Sequence, residues 1–330
     1  MDVLSELLTA VRITGAVFYN AEFSSPWAFR SPASKGLAPY VGAETGHIIV
    51  YHLVTDGAAW AQVDSDPQTQ LRAGDIVIFP HGHTHLMGNG PAVEPNDNGS
   101  ALREIFSHGL GLVRSGGGGE TTRLICGYLT CDEHLSRVLL APLPPLLKVH
   151  VRDDDSGRWL EESMRLAVAR TSSGEPGSAA VLAKVSEALF VDTLCRYLST
   201  LPPGERGWLA GTRDPEVGRA LKLIHSRVSE PWTLALLAEG VGVSRTVLVE
   251  RFTQFVGEAP MSYVAGWRMR VGARLLTTTN RSVADIASEV AYDSEAAFNR
   301  AFKRLFGMPP GRYRKQHRAG ASRIAVAAKD

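Results

Sequence analysis

Leu236–Pro260 reads LLAEGVGVSRTVLVERFTQFVGEAP, and Ile286–Pro310 reads IASEVAYDSEAAFNRAFKRLFGMPP. The second stretch repeats the first. Phe252 aligns with Phe302, Gly257 with Gly307 and Pro260 with Pro310 at an offset of 50. Upstream, Leu237 and Ala238 align with Ile286 and Ala287 at an offset of 49, so the second copy carries one more turn residue. Each copy predicts a helix, a tight turn and a second helix. Ser244 is a suitable N-cap for a helix whose inward residues are Leu248, Phe252 and Phe255. Phe298, Phe302 and Leu305 repeat that spacing. Thr233 and Ser282 are placed to cap the preceding helices, and Ser282 with Asp285 forms a capping-box pattern. Residues 263–276, YVAGWRMRVGARLL, predict a rigid helix between the copies. Two such units on one helix are a device for reaching two successive major-groove faces, about 34 Å apart on the duplex.

Outward from the repeat, charge is unevenly spread. The chain of 330 residues has a net charge of +1. Residues 214–318 hold 16 Lys and Arg against 10 Asp and Glu, whereas the remainder holds 19 against 24. A basic end on an acidic remainder fits a polyanionic partner for that end alone. The length implies two or three domains, and the 44% hydrophobic content is ordinary for a globular core. The start, MDVLSELLTAVRITGAV, lacks the basic opening and unbroken apolar run of a secretion signal. With no 18-residue apolar stretch either, the expectation is a cytoplasmic protein with no membrane span. Three cysteines, Cys126, Cys131 and Cys195, make no disulfide framework.

Four segments follow. Residues 1–150 alternate apolar runs with Gly and Pro punctuation; residues 47–54 and 75–79 predict strands, and the pattern suggests a β-barrel or sandwich. Residues 151–213 predict helices interrupted by a loop at 171–178, with Val181, Val185, Leu189, Tyr197 and Leu198 at helical spacing. They are expected to be a linker and dimerisation region, or else to pack on the barrel. Residues 214–318 form the double helix-turn-helix, and 319–330 a flexible tail. The fold class is therefore mixed, all-β followed by all-α.

The C-terminal segment resembles the DNA-binding domain of AraC/XylS-family transcription regulators. The resemblance rests on LAEGVGVS with LVERF, then WRMRVGARLL, then IASEVAYDS with FNRAFKRLFGMPPGRYR. One departure is Ala291, where that family usually has Gly. The resemblance implies base reading by Thr246, Val249, Glu250, Glu295, Ala296, Asn299 and Arg300. Arg and Asn suit guanine and adenine edges, and Glu suits cytosine. The first recognition helix, with Val249 and Glu250, is the weaker electrostatic partner and would read thymine methyls. Arg245, Arg268, Arg270, Lys303, Arg314 and Lys315 are the candidates for phosphate contacts. Double-stranded promoter DNA is the expected partner, and RNA polymerase a further one.

In the first segment Gly74, Pro80, His81, Gly82, His85 and Asn89 fit the second signature of the cupin barrels. Gly46 and His52 open the first signature, but Val54 stands at the second His position and no Glu follows. This resembles the cupin-like sensor domains of AraC-type regulators, which implies an unidentified small-molecule effector and a homodimer. His52, Trp60 and His85 are the candidate pocket residues. A zinc site from His81, His83, His85, Cys126 and Cys131 is an alternative, since imidazole and thiolate suit zinc. It needs a turn or bulge, because residues five apart on a strand point to opposite faces. Core burial of Cys126 is the competing reading. Redox sensing is another, because the ICGYL segment around Cys126 resembles that of regulators that sense reactive chlorine or oxygen species. A sensor thiol requires access and a lowered pKa. Cys195 reads as a core residue. The rival function is a metal-dependent cupin enzyme fused to a DNA-binding module, which the incomplete first signature argues against.

Overall fold

The computed structural model describes residues 4–5, 14–34, 36, 46–97, 112–132, 140–141, 143–202 and 207–317. The chain forms two compact units: Arg12–Pro203, and Gly204–Asp330 together with Met1–Val11. The tail expected at 319–330 lies outside the described residues.

The first unit contains β1 (Thr14–Ser24), β2 (Trp27–Ser31), β3 (Gly46–Asp56), β4 (Ala58–Val63), β5 (Thr69–Arg72), β6 (Asp75–Phe79), β7 (His85–Asn89), β8 (Asn96–Asp97), β9 (Leu112–Gly116), β10 (Thr121–Asp132) and β11 (Leu147–His150). Two sheets form, in the orders β11-β6-β3-β10-β1-β9 and β5-β4-β7-β2-β8. Their inner faces share one core that includes Phe23, Trp27, Phe29, Val50, Val54, Phe79, Met87 and Cys126. The predicted strands at 47–54 and 75–79 fall within β3 and β6.

β3 is buried on both faces, which explains its unbroken apolar run. Ile48, Val50, His52 and Val54 point into the core, while Ile49, Tyr51 and Leu53 point away from it. The outer face is covered by a helical hairpin, α1 (Asp155–Ser172) and α2 (Ser178–Thr200). Tyr51, Ile76, Ile78 and Leu129 meet Ser186, Leu189 and Phe190 of α2. The hairpin expected as a linker therefore belongs to the first unit, because the sheet's outer apolar face needs a cover. Of the residues at helical spacing, Leu189 is buried whereas Val181 is 44% exposed. Cys195 also differs from its reading as core, being exposed on α2.

Tyr51 and Gly127 make the junction between sheet and hairpin. They are direct cross-strand partners on β3 and β10. The phenol lies over Gly127, where an added Cβ would sit 2.3 Å from the hydroxyl oxygen. This lets the Tyr51 hydroxyl donate to Ser186 Oγ at 3.0 Å. Gly127→Val is expected to push Tyr51 off the hairpin and lower stability by about 1–3 kcal/mol, the usual cost of overpacking. A lowered thermal midpoint would register this; an unchanged one would refute it.

The second unit is helical: α3 (Trp208–Gly211), α4 (Pro215–Ser226), α5 (Leu234–Val241), α6 (Arg245–Val256), α7 (Pro260–Thr278), α8 (Val283–Glu289) and α9 (Glu295–Phe306), with residues 310–317 also helical. The caps form as the sequence predicts. Thr233, Ser244 and Ser282 each accept from a first-turn backbone N–H, and Ser282 with Asp285 completes the capping box; Ser294, not among the expected caps, does the same for α9. Leu248, Phe252, Phe255, Phe298 and Phe302 are buried, while Leu305 is half-buried. The connecting helix α7 buries Tyr263, Val264, Trp267 and Leu276.

Candidate functional site

In the second unit, α5–α6 and α8–α9 are the two helix-turn-helix units. Both first helices end in the same hydrogen-bond pattern. Gly242 N–H reaches Glu239 O and Val243 N–H reaches Ala238 O; Ala291 N–H reaches Ser288 O and Tyr292 N–H reaches Ala287 O. This is a Schellman turn, whose pivot must be left-handed. Gly242 takes φ 84° and Ala291 takes φ 55°, so the alanine keeps the turn at a strain that glycine avoids.

With the phenylalanines inward, Arg245, Thr246 and Glu250 are exposed on α6 and Val249 is half-buried. On α9, Glu295, Ala296, Arg300 and Lys303 are exposed and Asn299 is half-buried. Sequence reasoning passed over Val247 on α6, which is 39% exposed, and Arg304 on α9, which is also exposed. Their helical positions, flanking the outward face, were the available signal. The two faces differ in charge. Arg251 of α6 is tied to Asp214 and to Glu216, the latter at 2.7 Å, which leaves Arg245 as the only exposed cation on that helix.

The phosphate candidates divide. Arg245, Lys303 and Lys315 are exposed. Arg270 is not available as expected: it is buried, 7% exposed, with its guanidinium 5.7 Å from the Tyr263 ring centre. Arg268 donates to Val228 O and Glu230 O at 3.3 and 2.5 Å, and burial pulls its pKa down. Arg314 donates to Leu276 O and Arg281 O at 3.1 and 2.6 Å. These two arginines tie the loops that precede α5 and α8.

In the first unit the core brings His52 and His85 together, their Nε2 atoms 2.8 Å apart. His85 Nδ1 lies 3.0 Å from the His83 carbonyl, which can only accept, so Nδ1 carries the proton. His85 Nε2 is then an acceptor, and His52 Nε2–H donates to it. His52 Nδ1 is left as a bare lone pair, buried and without a hydrogen-bond partner among the described residues. Phe79 stacks on His85 with ring centres 3.6 Å apart, and Phe29 and Phe79 flank His52. Burial disfavours the charged forms: His52 falls well below the usual histidine range, helped by its neighbour His85, and His85 falls to about 4.

Trp60 does not join this pair. Ala59, Ala61 and Val63 take the inner face of β4, so the indole lies on the outer face over Gly88. Nor do the five zinc candidates converge. His81 reaches Leu143 O at 2.9 Å and His83 is exposed. Cys126 pairs across the sheet with His52, whereas Cys131 pairs with His47 at the far end of one unbroken ladder. Among the described residues no group of three or more His, Cys, Asp or Glu is placed to hold a metal ion. The register of β10 against β3 runs without a break from Leu124 to Asp132, and the irregularity in the neighbouring ladder falls on β1, between Val17 and Tyr19. Cys126 is 1% exposed and burial pushes its thiol pKa up, the reverse of what a reactive thiolate needs.

Comparisons with known proteins bear on both units. Residues 2–199 match the family described as Cupin, and residues 237–316 match the Helix-turn-helix domain. A protein of Streptomyces lividans named as an AraC-like transcription regulator is 30% identical over 96% of this chain and 98% of its own. The chain belongs to the AraC-like transcription regulators. The regulator is also similar to AlkR of Acinetobacter baylyi, at 26% identity over 96% of this chain and 100% of that one. RclR of Escherichia coli, named as an RCS-specific activator, is 25% identical over 96% and 99%. The C-terminal domain of AraT from Geobacillus stearothermophilus, a solved structure, is 33% identical over 31% of this chain and 86% of its own, with a TM-score of 0.31. Full-length relatives named as regulators set aside the metal-cupin enzyme. No helix among the described residues is long and apolar enough to cross a membrane.

Proposed function

We propose that this regulator is a cytoplasmic homodimer that binds specific promoter sequences through α6 and α9, and that an effector acting on its cupin domain alters promoter occupancy. The observation that carries the reading is the pair of capped helices, each turning a polar set outward from one buried connecting helix. Thr246, Val249 and Glu250 would read one major-groove segment, and Glu295, Ala296, Asn299 and Arg300 the next. RNA polymerase would respond to the occupied promoter. The paired imidazoles of His52 and His85 are the polar feature through which an effector would meet the cupin core.

The charge difference makes the two helices unequal. Arg300 can contact a guanine edge through two hydrogen bonds, worth about 1–3 kcal/mol. Arg300→Ala is therefore expected to weaken binding to the chain's own promoter region roughly 5- to 150-fold at fixed salt. Val249→Ala loses only methyl contacts and should cost less. Binding equal to wild type in the Arg300 variant would sink the assignment of α9. Equal binding to promoter and unrelated duplex would sink sequence specificity altogether. Full-length protein is also compared before and after mild oxidant, with C126S beside it. Because Cys126 is buried, oxidant is expected to leave the two alike.

A further inference from the structure

The repeat extends to a buried fastening that its sequence does not display. In each copy, the helix that follows the recognition helix carries an arginine that ties down the connector ahead of that copy's first helix. Arg314, after α9, donates to Leu276 O and Arg281 O on either side of the bend between α7 and α8. Arg268, on α7 after α6, donates to Val228 O and Glu230 O in the connector between α4 and α5. A guanidinium suits this task, because its fixed fork reaches two carbonyls at once. The two arginines are not at matching positions: Pro260 precedes Arg268 by eight residues, and Pro310 precedes Arg314 by four.

Arg268 differs in its place, because α7 continues past it and carries the second helix-turn-helix. Four residues on, and so on the same helical face, Gly272 is where α9 docks. A Cβ there would sit 2.9 Å from the Phe298 ring. Phe298 meets Tyr292 edge-on, with ring centres 5.8 Å apart. Tyr292 and Asp293 lie in the turn between α8 and α9. Burial lowers the Arg268 pKa, and the nearby Tyr292 and Asp293 oppose that shift. Burial likewise raises the Tyr292 pKa, and Arg268 and Arg304 oppose it. The Arg268 guanidinium thus holds the connector of the first helix-turn-helix and faces the turn of the second.

We propose that Arg268 is a positioning residue that couples the two helix-turn-helix units and so fixes the spacing of the two DNA segments the regulator accepts. The inference rests on the reading of α6 and α9 as readers of successive groove segments, and names what sets their separation. A single helix between two units leaves each free to rock about its own contact with that helix. A link from the first connector to the second turn closes the triangle. One base pair inserted between the segments moves the second by about 3.4 Å and turns it by roughly 35° about the duplex axis. A rigid pair cannot follow both changes, whereas a loosened pair follows in part.

The experiment measures affinity of the full-length protein, at fixed salt, for the duplex it protects in its own promoter region. The same duplex is then tested with one base pair inserted or removed between the two protected groove segments. Wild type should lose about 100-fold at the altered spacings, the order of avidity forfeited when two linked sites no longer engage together. R268A should bind the natural duplex more weakly and lose several-fold less than wild type when the spacing changes. R314A is the control: it loses the same kind of fastening, but should keep the wild-type spacing penalty. Y292F/D293N removes the other end of the link at a half-buried and an exposed position, leaves the connector fastened, and should relax the spacing as R268A does. Thermal midpoints show which variants are folded, and Y292F/D293N decides if R268A is not.

A wild-type penalty in both R268A and Y292F/D293N overturns the inference, as does equal relaxation in R314A. An equal fall at every spacing in R268A, with a shallower salt dependence, makes Arg268 a phosphate contact and overturns it too. Wild type that binds its promoter specifically yet tolerates every spacing overturns the coupling alone. Wild type without specific binding overturns the regulator reading on which the coupling rests.

Discussion

Replacing Trp208 with alanine is expected to destabilise the DNA-binding unit by about 3–5 kcal/mol, the usual cost of truncating a core tryptophan. Trp208 is 1% exposed, although it lies upstream of the repeat. Its indole N–H donates to the Tyr263 hydroxyl at 2.8 Å, and that hydroxyl donates to His225 Nε2 at 2.8 Å. His225 stacks on Trp267 with ring centres 3.8 Å apart and planes within 3°. Tyr263 and Trp267 belong to α7, the helix between the two recognition units. An alanine would open a cavity against that helix and strip the Tyr263 hydroxyl of its donor. Losing a few kcal/mol from a unit of ordinary stability unfolds much of it, so DNA affinity should fall with the thermal midpoint. W208F keeps one aromatic ring but loses the pyrrole half of the indole with its N–H, so it should cost less than the alanine and more than the ~1 kcal/mol of the hydrogen bond alone. A fragment beginning at residue 214 lacks Trp208 and should melt far below one beginning at 205. Equal melting of the two fragments would show that α3 is dispensable.

That boundary shows what could and could not be read from the chain. The repeat was legible because capping and helix-end chemistry are local. Ser244 and Gly257 bound α6, Ser282 opens α8 and Gly307 closes α9, each acting within one turn, so spacing alone places these helices. Trp208 was not legible, because its partners lie 55 residues away on α7. Arg270 failed for a related reason. A helical arginine reads as surface, and only the three-dimensional path of α7 shows that it faces inward. In the barrel, the apolar run along β3 identified a strand but not what covers its outer face, which is the hairpin above it. The second cupin signature did lead to His85, and the opening of the first led to His52. Their direct contact needed the fold, because the strands bearing them lie in different sheets. Trp60 was misplaced for want of a face assignment. Ala59, Ala61 and Val63 would have supplied one, since alternation puts Trp60 opposite them.

Acid should destabilise the cupin unit through His52 and His85. An unfolded histidine titrates near 6.5, whereas His85 in the core titrates at about 4 and His52 is depressed in the same direction. Between those values the unfolded chain binds more protons than the folded one, so stability falls as pH falls. The contribution is fully present above about pH 6.5 and is lost as pH drops through about 4. A depression of this size on one buried group corresponds to about 3 kcal/mol. The two imidazoles share a hydrogen bond, so the pair takes up its first proton as a unit. Among the described residues that proton meets no counter-charge: Phe29 and Phe79 flank the rings, and burial keeps the Cys126 thiol across the sheet neutral. His225 in the other unit is also depressed by burial, to about 3, so the whole chain loses stability in acid. The comparison that isolates the barrel is wild type against H52L/H85L, in which both partners become apolar together and neither leaves the other unpaired. Urea midpoints measured from pH 7.5 to 4 (roughly the histidine window) should fall more steeply for wild type than for the double variant. Parallel curves would mean that the pair is hydrated in the folded state.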